Sequence, residues 1–343
     1  MRFAFGNAQH IGARTSQQDA FGFSDPANEA FVRHGGFCGV LCDGMGGMSH
    51  GDAASRLAVR TFLAEYGGKA ETESIPDALL RSLRAANSAV YAEAEAAGAA
   101  EAMGTTLVAV VLTADALFWI SAGDSGIFLY REGELAMLNT PHIFARELEQ
   151  RVAAGLITRE EAQAHPERES LTSYVGDPKL PLVDRNVRPF PFDGDDCLLL
   201  ASDGLFKTID EAAIVGGMRG TLQERCTGLV RAVLDRQREG QDNVTVLAVG
   251  LAEPMPIREF VPDVAALPPH PVVVRKSRKL RFVLTALFMA LAGGGALWFG
   301  LQQKAPAPSL TMPAAEPGKG YDQEKRDKAG MRAEPAPPGE VQR

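Results

Sequence analysis

The sequence predicts an α+β domain in which helices and strands form mixed layers, and three observations support this class. Short apolar runs of strand length alternate with turn residues, and two longer stretches have the period of amphipathic helices. Several neighbouring strands are also separated by turns that are too short to contain a helix. Regular βαβ alternation, which produces a parallel sheet, would instead need a helix between successive strands.

Six apolar runs are predicted as strands, at residues 37–42, 106–112, 117–121, 127–130, 197–201 and 244–249. Two helices, 53–66 and 75–97, are predicted between the first two of these strands. The second helix carries Leu79, Leu83 and Val90 on one face, which is typical of a helix that packs against a sheet.

Charge divides the 343 residues into two unlike parts. Residues 1–253 contain 22 basic and 35 acidic side chains, a net −13, whereas residues 254–343 contain 13 basic and 8 acidic ones, a net +5. The composition, with 45% hydrophobic and 23% charged residues, excludes a wholly disordered, collagenous or multi-span membrane chain. An acidic domain also argues against a nucleic-acid partner, because binding to phosphates needs clustered Lys and Arg.

The basic part contains a predicted transmembrane helix at 282–301. This run of twenty uncharged residues would span roughly 30 Å as a helix, the thickness of a bilayer core. A buried core helix is the alternative, but the glycines at 293–295 and Trp298 favour a membrane helix. Five basic residues precede the run, at 275, 276, 278, 279 and 281. By the positive-inside rule the acidic domain is expected in the cytoplasm, the chain crosses the inner (cell) membrane once, and the tail lies outside the cytoplasm.

The remaining segments are predicted from composition. Residues 254–281 are predicted to form a Pro-rich linker that ends in the basic juxtamembrane stretch, and residues 302–343 a disordered Pro-rich tail. Residues 1–253 are predicted to form one acidic domain. Its four cysteines lie in or beside apolar runs, and in a cytoplasmic domain they are expected to be reduced core residues: Cys38, Cys42, Cys197 and Cys226.

Aspartates stand at the ends of several predicted strands. Asp43 and Asp203 each follow a strand and precede a glycine, Asp124 lies in a turn between two strands, and Asp242 precedes the last strand. If the last strand is antiparallel to the others, its start lies beside their ends. Asp43, Asp203 and Asp242 then converge at one edge, where Asp19 is expected to join them.

Gathered carboxylates repel one another and therefore need cations. Oxygen ligands without His or Cys indicate Mg²⁺ or Mn²⁺, and two such ions suit hydrolysis of a phosphate ester. Each piece alone has a simpler interpretation: Asp-Gly is a common turn, and Arg14 alone would be a surface cation. The acidic turn at 193–196 is predicted to be a solvated loop, and the six histidines show no metal-ligand spacing.

As a set, the motifs resemble the PPM/PP2C family of metal-dependent protein serine/threonine phosphatases in its bacterial form. The resemblance covers about residues 5–250, in the family's order: RTSQQDA (14–20), DGMGG (43–47), MGTT (103–106), GDS (123–125), a variable flap (155–176), SDGL (202–205) and DNVT (242–245). Within the flap, Thr158 and Glu161 also predict a capping box at a helix start.

The resemblance implies a four-layer α-β-β-α sandwich of two antiparallel sheets, with two Mn²⁺ or Mg²⁺ ions at one end. It implies that Asp43 bridges both ions and that Asp203 and Asp242 hold the first. The Gly44 carbonyl, with Asp19 acting through water, would hold the second ion. Asp124 together with Asp203 matches a weaker third metal site. Arg14 would bind the substrate phosphate, while a hydroxide that bridges the metals attacks phosphorus in line.

Five positions depart from the family pattern: Gln18, Met45, Gly126, Pro141 and Ser173. All core metal positions are retained.

The expected function is therefore removal of phosphate from Ser and Thr of phosphorylated proteins, in opposition to a bacterial Ser/Thr kinase. A catalytically silent, membrane-anchored sensor or scaffold is the alternative, and a metal-dependent nuclease is disfavoured by the −13 charge of the domain.

Overall fold

The protein is described by a computed structural model that covers residues 3–45, 50–99 and 102–252. The chain divides into two units, Met1–Glu259 and Phe260–Arg343, and the second lies outside the described residues. The predicted linker, membrane helix and tail also lie outside the described residues, so those domain boundaries stay predictions. In the part of the chain that is described, no helix combines the length and the apolar character needed to cross a membrane.

Two antiparallel sheets form the centre of the described domain. The strands are β1 Phe3–His10, β2 Asp19–Phe23, β3 Phe37–Asp43, β4 Leu107–Leu112, β5 Ala116–Ala122, β6 Gly126–Arg131, β7 Glu134–Met137, β8 Asp184–Arg185, β9 Phe190–Pro191, β10 Cys197–Ala201 and β11 Val244–Leu251. The first sheet has the strand order β1-β11-β10-β6-β7, and the second has the order β2-β3-β4-β5-β8, with β9 pairing to β5.

Helices cover both sheets. They are α1 Glu29–Gly35, α2 Gly51–Gly67, α3 Ile75–Ala96, α4 Phe144–Ala153, α5 Arg159–Gln163, α6 Asp203–Phe206, α7 Glu211–Gly217 and α8 Leu222–Leu234. One buried apolar cluster joins α2 and α3 to the second sheet, and another joins α7 and α8 to the first sheet. A third cluster lies between the sheets and includes Leu41, Leu200 and Leu247. Two antiparallel sheets between helices are therefore confirmed.

The predicted strands and helices agree with the structure to within about two residues at their ends. The antiparallel pairing of β10 and β11, on which the convergence of the aspartates depended, is also confirmed. Cys38, Cys42, Cys197 and Cys226 are buried free thiols, as expected. The capping box of α5 is present, with the Thr158 hydroxyl accepting from the Glu161 N–H.

The interpretation of residues 193–196 as a solvated loop is wrong at its last residue. Asp193 and Asp195 are exposed, but Asp196 is buried. Its carboxylate receives two hydrogen bonds from the Arg131 guanidinium, at 2.8 and 2.6 Å. A cation on β6 therefore holds this aspartate in the interior, at a place that the local sequence does not reveal.

Candidate active site

The five predicted metal-binding aspartates converge at one end of the two sheets. Asp19 begins β2 and Asp43 ends β3, and the two are direct partners across the antiparallel ladder. Asp203 follows β10 and Asp242 precedes β11, its antiparallel neighbour, in the other sheet. The expected edge is thus confirmed, but it is shared by both sheets instead of belonging to one.

Asp43 is at the centre of this group. Burial raises its pKa well above the usual range, and the negative charges of Asp19, Asp203, Asp124 and Asp242 raise it further. Each of the other four aspartates is therefore close enough to Asp43 to repel its ionised form.

Asp19 joins the two sheets. Its side chain is buried, and Oδ2 accepts a hydrogen bond of 2.9 Å from the hydroxyl of Ser202 at the end of β10. Burial raises the pKa of Asp19 to about 6, although the hydrogen bond from Ser202 acts in the opposite direction. Oδ1 is buried and makes no regular hydrogen bond within the described residues, and the buried Thr245 hydroxyl, which also lowers the pKa of Asp19, makes none either. A buried carboxylate oxygen without a well-placed donor is a site where a cation or a water that it orients would fit.

The MGTT motif fixes the main chain of Asp43. The Asp43 N–H donates to the Thr106 hydroxyl at 3.0 Å, and the Asp43 carbonyl accepts from the Thr105 hydroxyl and from the Thr106 N–H. The Thr106 hydroxyl also lies 2.7 Å from that of Ser125, in the turn that carries Asp124. These buried hydroxyls tie two of the acidic turns to one another.

Arg14 lies beside the aspartates in the loop between β1 and β2. Its guanidinium donates to Asp242 Oδ2 at 2.7 Å, and the two side chains are 44% and 43% exposed. The negative charges of Asp242, Asp203 and Asp43 all raise the pKa of Arg14. An ion pair with this much exposure contributes little to stability, so its location beside the carboxylates is better explained by function.

Asn243 holds the Arg14 loop in place. Its side-chain amide donates to the carbonyls of Ile11 and Ser16, and its carbonyl oxygen accepts from the Gln18 N–H. Asn243 is buried, and it directly follows Asp242. One dipeptide thus supplies both the acidic partner of Arg14 and the scaffold of its loop.

A lysine that the sequence prediction did not include contacts two of the aspartates. Lys207 Nζ lies 2.6 Å from Asp203 Oδ2 and 3.4 Å from Asp124 Oδ2. Burial alone would lower the pKa of Lys207, but the two carboxylates outweigh burial and raise it above the ordinary value. Burial and the charge of Asp203 raise the pKa of Asp124, partly offset by Lys207. The spacing of Asp203 and Lys207, four residues apart, is the sequence signal that could have indicated this contact.

Gly44 and Gly204 allow the turns after Asp43 and Asp203 to pack closely. A Cβ atom at residue 44 would lie 2.2 Å from the carbonyl oxygen of Gly51, at the start of α2. At residue 204 it would lie 2.0 Å from the carbonyl oxygen of Asn243. Larger residues would push these turns apart, so both glycines are needed to bring the acidic turns together.

Two of the departures from the family pattern have structural explanations. At Gly126, a Cβ atom would meet the rings of Phe128 and Phe206, so aromatic packing fills the space that a longer side chain would use. The Ser173 hydroxyl donates to the Leu182 carbonyl, which pins the segment after α5 to the strand region beyond it.

His142 directly follows Pro141, a third departure from the family pattern. It is buried, and Nδ1 accepts a hydrogen bond from the Gly123 N–H. Burial lowers its pKa. The side chain thus holds the turn that carries Asp124.

The donor set fits hard divalent cations. The oxygens that meet here come from aspartates and the main chain, and the buried Oδ1 atom of Asp19 lacks a donor. Among the described residues, no group of three acidic, His or Cys side chains is arranged to hold a metal ion by itself. The ligand assignment implied by the resemblance, with the Gly44 carbonyl and a water on Asp19 at the second ion, stays a prediction.

Comparison with known proteins relates this geometry to a family. A sequence model described as Protein phosphatase 2C matches residues 7–236. A protein phosphatase 2C-type protein of Streptococcus pyogenes is 33% identical over 214 residues, which are 61% of this chain and 84% of that protein. The serine/threonine protein phosphatase PstP of Mycobacterium tuberculosis is 32% identical over 231 residues, 66% of this chain but only 42% of that protein.

Solved structures show the same fold. The M. tuberculosis phosphatase PstP/Ppp superposes with a TM-score of 0.60 at 27% identity, covering 73% of this chain and 99% of the other. The catalytic domain of PstP in complex with two manganese ions gives a TM-score of 0.57 at 26% identity, with coverage of 73% and 99%. The chain therefore belongs to the protein phosphatase 2C family of metal-dependent serine/threonine protein phosphatases.

Proposed function

We propose that the described domain removes phosphate from phosphoserine and phosphothreonine of proteins at the aspartate cluster, with two Mn²⁺ or Mg²⁺ ions. The observation that carries the proposal is the convergence of Asp19, Asp43, Asp203 and Asp242 beside Arg14. The two manganese ions of the PstP catalytic domain support the same metal count. Nothing in the described residues favours the catalytically silent alternative.

In this proposal Asp43, Asp203, Asp242, Asp19 and the Gly44 carbonyl would hold the two ions, with Asp43 as a ligand of both. Divalent ions bound there would supply charge neutralisation and a water of lowered pKa. Ser202 orients Asp19 through its hydrogen bond, while Thr105 and Thr106 keep Asp43 in place.

Arg14 binds the substrate phosphate in this scheme. A guanidinium has five N–H donors in a fixed plane, so a bond to Asp242 leaves donors for two phosphate oxygens. Asn243 keeps the loop of Arg14 close to the carboxylates. Because Asp242 is also a proposed metal ligand, it would hold the phosphate-binding group next to the ions.

The test is release of phosphate from a phosphothreonine peptide by the full 343-residue chain, with Mn²⁺ and with EDTA. We expect metal-dependent release, and we expect Asp203→Asn to abolish it. Asp195→Asn, an exposed aspartate before β10, is the matched control and should retain full activity. Equal activity of Asp203→Asn and wild type, or metal-independent release, would contradict the proposal.

We further propose that residues 282–301 anchor the enzyme in the inner membrane, with the phosphatase domain in the cytoplasm, where it opposes a Ser/Thr kinase. The uncharged run and its basic N-terminal flank support this topology. A reporter fused after residue 310 should be active outside the cytoplasm, and cytoplasmic activity of that fusion would refute the topology. Phosphoproteomes of cells with the wild type and with Asp203→Asn would identify substrates.

A further inference from the structure

Lys207 has an unusual place in the acidic cluster, since it contacts aspartates of two different turns. Its ammonium lies 2.6 Å from Asp203 Oδ2 and 3.4 Å from Asp124 Oδ2. Asp124 is nearly buried, with a side-chain exposure of 12%, and Asp203 is 18% exposed. A charge-assisted contact with two such shielded carboxylates is less screened than an ordinary surface ion pair.

The backbone around Lys207 favours this position. Lys207 is the C-cap of the short helix α6, and its N–H donates to the Asp203 carbonyl at 2.9 Å. Its own carbonyl accepts a hydrogen bond from the Arg238 guanidinium. The side chain therefore starts from a fixed point one helical turn beyond Asp203, from which it reaches both carboxylates.

The ammonium occupies the space that a metal ion would need between Oδ2 of Asp203 and Oδ2 of Asp124. An ion bound to both of these oxygens would lie about 2.0–2.6 Å from each. Nζ already lies at a comparable distance from Asp203 Oδ2, so an ion there would contact it, whereas Asp203 Oδ1 is left for one of the two proposed ions. Two cations at such a separation repel strongly, and the lysine would have to leave before the ion entered.

We propose that Lys207 is a built-in cation that fills the space between Asp124 and Asp203 and closes it to a divalent ion. This inference rests on the proposed function, because it concerns the same metal cluster. It limits the enzyme to two divalent ions and argues against the third ion that the resemblance implies. Lys207 thereby acts as a positioning residue that holds the Asp124 turn against α6 without a metal.

The test is the number of Mn²⁺ ions bound by the full chain, measured by isothermal titration with MnCl₂ and by electron paramagnetic resonance of free Mn²⁺. We expect two ions for the wild type. Lys207→Met, which keeps most of the aliphatic stem, should bind a third ion at least tenfold more weakly than the others. Lys207→Arg retains the cation and should bind two, and the double variant Lys207→Met with Asp124→Asn should return to two.

Three bound ions in the wild type would overturn the inference without any variant. Two ions in Lys207→Met would also overturn it, and Lys207→Gln provides a second neutral variant if the first does not fold. A wild type that binds no Mn²⁺ would overturn the proposed function together with the inference. Two ions in every variant, with normal phosphatase activity, would overturn the inference alone.

Discussion

The two ends of strand β10 each carry an acidic turn, and the structure neutralises them differently. Before the strand, the buried Asp196 receives two hydrogen bonds from the Arg131 guanidinium, which also lies 3.9 Å from the exposed Asp193. After the strand, Asp203 belongs to a group of five aspartates, and within the described residues only Arg14 and Lys207 form ion pairs with that group. The first end is complete without a ligand, whereas the second has excess negative charge that bound cations would balance.

The largest expected effect is at the excess-charge end, with Asp43→Asn. Loss of a ligand that we propose both ions share should cost several kcal/mol of transition-state stabilisation, and about 4 kcal/mol corresponds to a roughly thousandfold lower kcat. Phosphate release from a phosphothreonine peptide measures this loss.

Thermal unfolding sharpens the same prediction. Mn²⁺ at a hundred times its Kd should stabilise the wild type by about 2.7 kcal/mol, and Asp43→Asn should lose most of that gain. In EDTA the variant should be at least as stable as the wild type, because one buried like charge is gone. A variant that is destabilised in EDTA would indicate that Asp43 serves the fold instead of the metal.

The next largest effect is at the neutralised end, with Arg131→Ala. Asp196 would stay buried without its cation, and we expect a loss of about 2 kcal/mol in the free energy of unfolding. Activity per folded molecule should not change, because Arg131 has no role at the metal cluster. Urea denaturation of the variant and of Arg131→Lys, which keeps the charge but not the paired geometry, measures the contribution of the bidentate contact.

Arg14→Lys should have a smaller effect than Arg131→Ala, and it should change substrate binding instead of stability. The ion pair with Asp242 is exposed, so the free energy of unfolding should change by less than about 0.5 kcal/mol. Binding of the substrate phosphate should weaken, with KM raised about tenfold, because lysine cannot hold two oxygens in a plane. Steady-state kinetics on a phosphopeptide test this, and an unchanged KM would remove Arg14 from the phosphate site.

The smallest effect concerns pH. Burial alone would raise the pKa of Asp196, but hydrogen bonds from Arg131 and the Asp193 N–H outweigh it and hold the pKa below its ordinary value. A folded-state pKa below the unfolded one gives stability that is present above about pH 4 and is lost as the pH falls further. The stability difference between the wild type and Asp196→Asn should therefore shrink as the pH falls from 6 to 3, and urea denaturation at both pH values measures it. A constant difference would show that the pair is not ionic.

The sequence predicted the buried strands well because each is a continuous apolar run, as in β10 and β4. It did not predict β1, in which small and polar residues interrupt the apolar positions, or α8, although the capping box of Thr221 and Glu224 marks its start. The aspartates of the site were predictable because each stands at a strand end. Their convergence at one edge required the last strand to be antiparallel to its neighbours, and the sequence alone did not establish that direction.

Contacts between distant segments account for what was missed. Arg131 and Asp196 are 65 positions apart, and Ser202 and Asp19 are 183 apart. A local sequence pattern cannot reveal contacts between residues so far apart. The turn at 193–196, which contains Asp196, has the composition of an ordinary solvated loop. Lys207 is the exception, because its spacing from Asp203 was visible in the sequence.

The hydrogen bond between Ser202 and Asp19 joins a strand end of one sheet to a strand start of the other. The distances among the carboxylates therefore report how the two sheets are aligned. A substitution such as Leu200→Ala, which removes packing between the sheets two residues before Ser202, should weaken Mn²⁺ binding at temperatures where the domain is still folded. Metal affinity would then detect loosening of the sandwich before any change in secondary structure does.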